Sequence, residues 1–225
     1  MNKDPAYSTL QRFFCAVFIG AVLAFAKADA QESTPVKNET SHLQAQFNVV
    51  DIQMVQYLEL EITTNDSDKV SFVSSQNGEY KNAVVLSSEI RNDSLLITDP
   101  FNPAFSFPQD KLSAHKIIDG KATLSLPRNK YLVINSQTAD ITITGNYKSI
   151  YINQLSGSCK IDELAGDLRY VSVYATISVD LKNYDIQAVS RSGNVFNFEK
   201  PSLIKYFARL ESISGNISNL KKRNK

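Results

Sequence analysis

Tryptophan is missing from this chain of 225 residues, glycine occurs only eight times and cysteine twice. So little glycine excludes a collagen-like or low-complexity polymer. An excess of one charge is missing too, because 24 Lys and Arg stand against 23 Asp and Glu. No global field then draws the chain to an anionic surface, and no nucleic-acid partner is expected. The sequence has no C-x-x-C, no H-E-x-x-H, no Walker loop and no dinucleotide fingerprint. It also lacks the G-G-x-G-x-D nonapeptide that binds calcium in some repeat proteins. Neither a cofactor nor a metal site is expected. Of the two histidines, His42 lies in a polar stretch and His115 follows Asp110 and Ser113. Residues so close in sequence rarely converge as a catalytic triad, so no catalytic residue is assigned.

What the chain does have is Ile, Val, Thr, Ser, Tyr and Asn, a composition of strands and tight turns. Its first thirty residues differ from the rest. Lys3 and Arg12 precede an apolar run from Phe13 to Ala26, followed by small residues at Ala28 and Ala30. A charged start, a short apolar run and an A-x-A ending read as a secretory signal peptide cleaved after Ala30. The run is shorter than the roughly 20 residues needed to cross a bilayer as a helix. The expected product is exported, to the periplasm or the cell surface, with no transmembrane segment. Cys15 would leave with the leader, so Cys159 alone remains and no intrachain disulfide is possible.

Residues 31–46 are polar and aperiodic and read as a flexible linker. Residues 47–130 form a strand-rich capping part, marked by alternating runs such as Tyr57-Leu58-Glu59-Leu60-Glu61-Ile62. Inside it, Asp99 to Asp110 holds three prolines and three phenylalanines (Phe101, Phe105, Phe107). Proline bars this stretch from a central strand. It reads as a loop whose rings cover an exposed end of the core, with a ligand surface as the alternative.

Residues 131–220 repeat. A small residue, a polar one and an apolar one recur at Ala139-Asp140-Ile141, Gly157-Ser158-Cys159, Ala175-Thr176-Ile177, Gly193-Asn194-Val195 and Gly215-Asn216-Ile217. The small residues are 18, 18, 18 and 22 positions apart. Apolar columns recur with apolar columns: Leu132, Ile150, Leu168, Ile186 and Ala208 lie seven before the small residue. Alternation within a unit indicates strands, and a fixed recurrence indicates stacked units that share a core. The expected fold is therefore all-β, a single-stranded parallel β-helix (β-solenoid) of about 18 residues per coil. Ile141, Cys159, Ile177, Val195 and Ile217 would form an interior ladder, with Cys159 acting as a small hydrophobe. The extra residues of the last interval would bulge near Pro201. Residues 221–225 read as a basic solvated tail.

The G-N-V/I units, Ser190 to Val195 and Ser212 to Ile217, resemble those of exported bacterial adhesin-like β-solenoids. That family, of the Bacteroidetes type and related to autotransporter adhesin heads, has no established function. The stretch Asp110 to Lys116 is similar to one found in such proteins. The resemblance implies a cell-envelope location and a β-helix fold, and it brings no catalytic residues.

Two outward columns could carry function. One holds Tyr151, Arg169, Gln187 and Arg209, whose ring and guanidinium groups suit stacking on and hydrogen bonding to a sugar. The other holds Asp162 and Asp180. The leading expectation is a monomeric, non-enzymatic scaffold or binding module for a glycan or an envelope protein. The alternative is a carbohydrate-active β-helix enzyme using Asp162, Asp180 and Arg169. It requires those carboxylates to line one concave groove.

Overall fold

The computed structural model describes residues 36–42, 47–77, 80–106, 118–196 and 198–220. The leader, Phe107, Ser113, His115 and the basic tail lie outside the described residues. No described helix is long and apolar enough to cross a membrane.

The described chain is all-β, as its composition requires, but it is not a parallel β-helix. It forms one curled, half-barrel sheet of 14 strands that mixes parallel and antiparallel pairs. The first seven strands are β1 (Val36–His42), β2 (Val49–Met54), β3 (Glu59–Asn65), β4 (Val70–Asn77), β5 (Ser87–Arg91), β6 (Ser94–Thr98) and β7 (Asp119–Pro127). The other seven are β8 (Tyr131–Ser136), β9 (Asp140–Gln154), β10 (Ser158–Ser172), β11 (Thr176–Asp180), β12 (Tyr184–Ser190), β13 (Tyr206–Ser212) and β14 (Ile217–Asn219). Two findings overturn the β-helix. The pairs β1–β4, β4–β7 and β5–β6 are antiparallel. Neighbours also do not follow chain order, since β13 pairs with both β10 and β12. A further surprise is that β1 lies in the polar segment read as a linker.

The curl is made inside the two longest strands. The first part of β9 pairs with β3 and its last part with β8. The first part of β10 pairs with β11 and its last part with β13. Between these parts the β9–β10 register shifts, with Glu163 at φ +48° and Gly166 at φ +125°. Such irregularities bend a strand and tighten its twist. One wall of the sheet therefore runs β1-β4-β7-β3-β9-β10-β11-β14 and the other β5-β6-β2-β8-β9-β10-β13-β12. The core fills the space between the walls.

Alternation supplies that core. Ile150, Ile152 and Gln154 of β9 are buried while Tyr151 and Asn153 face out. Ile141 pairs with Cys159, Cys159 with Ile177 and Ile177 with Ile217. All four are buried. Val195 is half-buried and bridges to Ile217 instead of Ile177. In space the order is thus 141, 159, 177, 217, 195. Burial pushes the Cys159 thiol far above its ordinary range, so it stays protonated among apolar neighbours.

The turns that join the walls carry a buried polar column on the core side. Gln154 donates to Ala139 O at 2.7 Å and accepts from the Tyr170 hydroxyl at 3.1 Å. Ser172 and Ser212 share a hydrogen bond at 2.9 Å, and the Ser212 hydroxyl accepts the Gly215 N–H at 2.8 Å. These side chains take up backbone groups that the turns cannot pair among themselves. The small-residue column sits where the turns touch. A Cβ on Gly215 would collide with Ala175 O, and one on Gly193 with Gly215 O. The glycines therefore stack in the same rearranged order as the ladder.

Residues 47–130 continue the same sheet, with β2 pairing with β8 and β3 with β9. The β5–β6 hairpin forms one edge, turning at Asn92 with φ +54°. Phe105 packs edge-on against Tyr80, with ring centroids 5.8 Å apart. Phe101 is exposed and bridges Val84. Asp99, at the start of this loop, is buried and gathers the N–H groups of Val55, Gln56 and Tyr57 at 2.6–3.1 Å. That clamp fixes the turn between β2 and β3.

Candidate functional site

The outward face of the wall β2-β8-β9-β10-β13-β12 carries the column read from the sequence. Tyr151 pairs with Arg169, Arg169 with Arg209, and Arg209 with Gln187. All four are exposed. The structure brings them into one row, with Arg209 ahead of Gln187. Arg169 lies over the Tyr151 ring at 5.7 Å from its centroid, a cation–π contact. The Arg209 guanidinium is held by Glu211 at 2.8 Å.

Beside this row runs a trough. One hollow of about 550 Å³ is lined by Gln53, Val55, Asn135, Gln137, Asn153, Leu155 and Val173, among others. A second, of about 390 Å³, is lined by Tyr151, Arg169, Val171, Val189, Arg191, Glu211 and Ile213, among others. Strand register places the two end to end. Gln53 pairs with Asn135, Asn135 with Asn153, Asn153 with Val171, Val171 with Glu211, and Glu211 with Val189. A second row follows at the turns, through Gln137, Leu155, Val173, Ile213 and Arg191. It is carried by the bonds Leu155 N–H to Ser136 O, Val173 N–H to Gln154 O, Ile213 N–H to Ser172 O and Arg191 N–H to Ser212 O. The trough crosses six strands, roughly 24 Å at the usual spacing between strands.

The sheet that carries this trough has a counterpart among solved structures. A "putative cell adhesion protein" from Clostridium sporogenes matches with a TM-score of 0.57 over 83% of this chain and 99% of that one, at 11% identity. The two share a fold. A "putative adhesin" from Bacteroides fragilis (13% identity, 84% of this chain and 99% of that one) has a TM-score of 0.37. A "putative lipid binding protein" from Parabacteroides distasonis (10% identity, 82% and 96%) has one of 0.36. No protein-family model matches the chain, and no curated protein matches it either. The names of the solved neighbours include the adhesin kind that the G-N-V/I units resemble, and the fold shared with the Clostridium protein is a curled sheet and not a β-helix.

The acidic column does not join the trough. Asp162 and Asp180 are register partners on β10 and β11, in the opposite wall. Asp180 lines a separate hollow of about 350 Å³ with Lys182, Phe198, Lys200 and Pro201. Asp162 accepts the Glu163 N–H at 2.9 Å and lines none of the three hollows. Arg169 lines the trough instead. The three residues of the enzymatic alternative therefore do not share one groove.

The trough's two rows are what the sequence reading missed. A signal was present: four and two positions before each small residue, the repeat carries Asn135, Asn153, Val171, Val189 and Glu211, then Gln137, Leu155, Val173, Arg191 and Ile213. Apolar residues on outward positions are the informative departure from alternation.

Proposed function

We propose that the protein is a non-enzymatic, adhesin-like binding module of the cell envelope, exported by its N-terminal segment to the periplasm or the cell surface. It acts as a monomer and holds an extended glycan along the trough. The observation that carries this reading is the continuous path across six strands, flanked by the ring of Tyr151. A stacked sheet offers a linear polymer one similar set of contacts per strand, and an exposed ring supplies the apolar face on which a pyranose stacks. An envelope protein is the second class of partner that such a surface suits. The path runs across the strands and meets an open edge only at its β12 end, however, so an extended peptide lying along it would find no backbone ladder to join.

The test is a glycan array probed with the purified full chain, followed by calorimetry on the best ligand. Tyr151→Ala is expected to weaken binding roughly tenfold, about 1.4 kcal/mol, without lowering the unfolding midpoint. Binding that survives both Tyr151→Ala and Asn153→Ala unchanged would remove the trough as the site.

A further inference from the structure

The trough is chemically graded along its length, and the gradient points to a class of ligand. At the β2 end stand Gln53, Asn135, Gln137 and Asn153, all outward. Each side-chain amide carries donors and an acceptor, the pair of functions that sugar hydroxyls match. Gln53 bonds weakly to Asp51 at 3.3 Å. The other three spend no side-chain amide on any described residue. At the β12 end the hollow is lined by Val171, Val189 and Ile213, with Glu211 between the two valines and with Arg169 and Arg191 at its sides.

Three arginines face that end, and one carboxylate. Arg209 is occupied by Glu211. Arg169 rests on Tyr151, and neither it nor Arg191 has a carboxylate partner among the described residues. The end therefore holds two guanidinium groups without an ion pair among the described residues, one on each side of a strip in which Glu211, bound to Arg209, stands between Val171 and Val189. A guanidinium fork is matched by a carboxylate, bidentate and planar, and sitting beside apolar surface strengthens the attraction.

We propose that the trough takes a linear acidic polysaccharide, a polymer of uronic acid units, with hydroxyls on the amide rows and carboxylates at Arg169 and Arg191. This rests on the glycan-binding reading above and narrows it to one chemical class.

The experiment measures binding of the full chain to polygalacturonate and polymannuronate, to the methyl esters of both, and to polyglutamate. The ester keeps the sugar backbone and removes its charge; polyglutamate keeps the charge and removes the sugar. Expected is binding of at least one acidic polymer roughly tenfold tighter than its ester, weakening as salt is raised. Arg169→Gln with Arg191→Gln should erase that advantage while Tyr151→Ala weakens both forms. Equal binding of acid and ester, or polyglutamate bound as well as the uronates, would overturn the acidic assignment. So would an advantage that survives the double substitution. If neutral glycans of the array bind and no uronate does, this inference falls and the glycan reading stands. If no glycan binds at all, the broader reading falls with it.

Discussion

Gly157→Val is expected to destabilise the protein by about 3–5 kcal/mol, read as a lower midpoint in urea with an unchanged slope. Gly157 has φ +95°, where an L side chain is strained. Its missing Cβ would sit 2.6 Å from Ala139 O and 2.8 Å from Thr138 O, backbone atoms of the neighbouring turn. That carbonyl is also the acceptor of the Gln154 amide, so it cannot retreat without breaking a buried hydrogen bond. Lys160→Val, at an exposed site on β10 just after this turn, is expected to change stability by no more than about 0.5 kcal/mol. A Gly157→Val protein as stable as the wild type would mean that the turns do not stack.

Asp99→Ala is expected to cost about 3 kcal/mol, because it strips three backbone N–H groups of their acceptor at once. The clamp sets the β2–β3 turn, and β3 in turn sits between β7 and β9. Burial pushes the Asp99 carboxyl up from the usual range, against the amide bonds that pull it down. A carboxyl raised by folding binds more protons in the folded state than in the unfolded one. Its contribution to stability is therefore largest at low pH and declines as pH rises from about 4, the unfolded value, through the folded pKa. Asp99→Ala should remove that decline, which urea titrations across the acid range would detect. Loss of less than about 1 kcal/mol would contradict the clamp.

The repeat was legible because side-chain period and apolar column coincide. Ile141, Cys159 and Ile177 are 18 residues apart and do lie on neighbouring strands. Strand order was not legible, and the reason is physical. Leu168, Ile186 and Ala208 present the same kind of column, so periodicity says which positions stack and not which unit is next to which. The chain passes from β10 and β11 to the edge strand β12, then returns through the longer interval around Pro201 to place β13 and β14 in between. Strand direction was hidden for a similar reason. The alternation of Val70, Phe72, Ser74 and Gln76 marks β4 as a strand but does not tell antiparallel from parallel. Composition also concealed β1, since pairing with β4 needs backbone groups and not apolar side chains.

Of the site, the membership of the row Tyr151, Arg169, Gln187 and Arg209 could be read from the repeat, but not its order, in which Arg209 lies between Arg169 and Gln187. The trough could not, because it depends on the rearranged order. Only when β13 lies between β10 and β12 does Glu211 fall between Val171 and Val189, and Ile213 between Val173 and Arg191, which gives the second hollow its lining.

Paired cysteines test that order directly. Adjacent strands hold register partners roughly 5 Å apart at Cα, within reach of a disulfide, and strands two apart are about twice as far. Arg169→Cys with Arg209→Cys is predicted to cross-link under mild oxidation, and Arg169→Cys with Gln187→Cys to stay reduced, with peptide mapping to separate these from Cys15 and Cys159. A bond between positions 169 and 187, with 169 and 209 left free, would restore the chain-order stack and divide the trough.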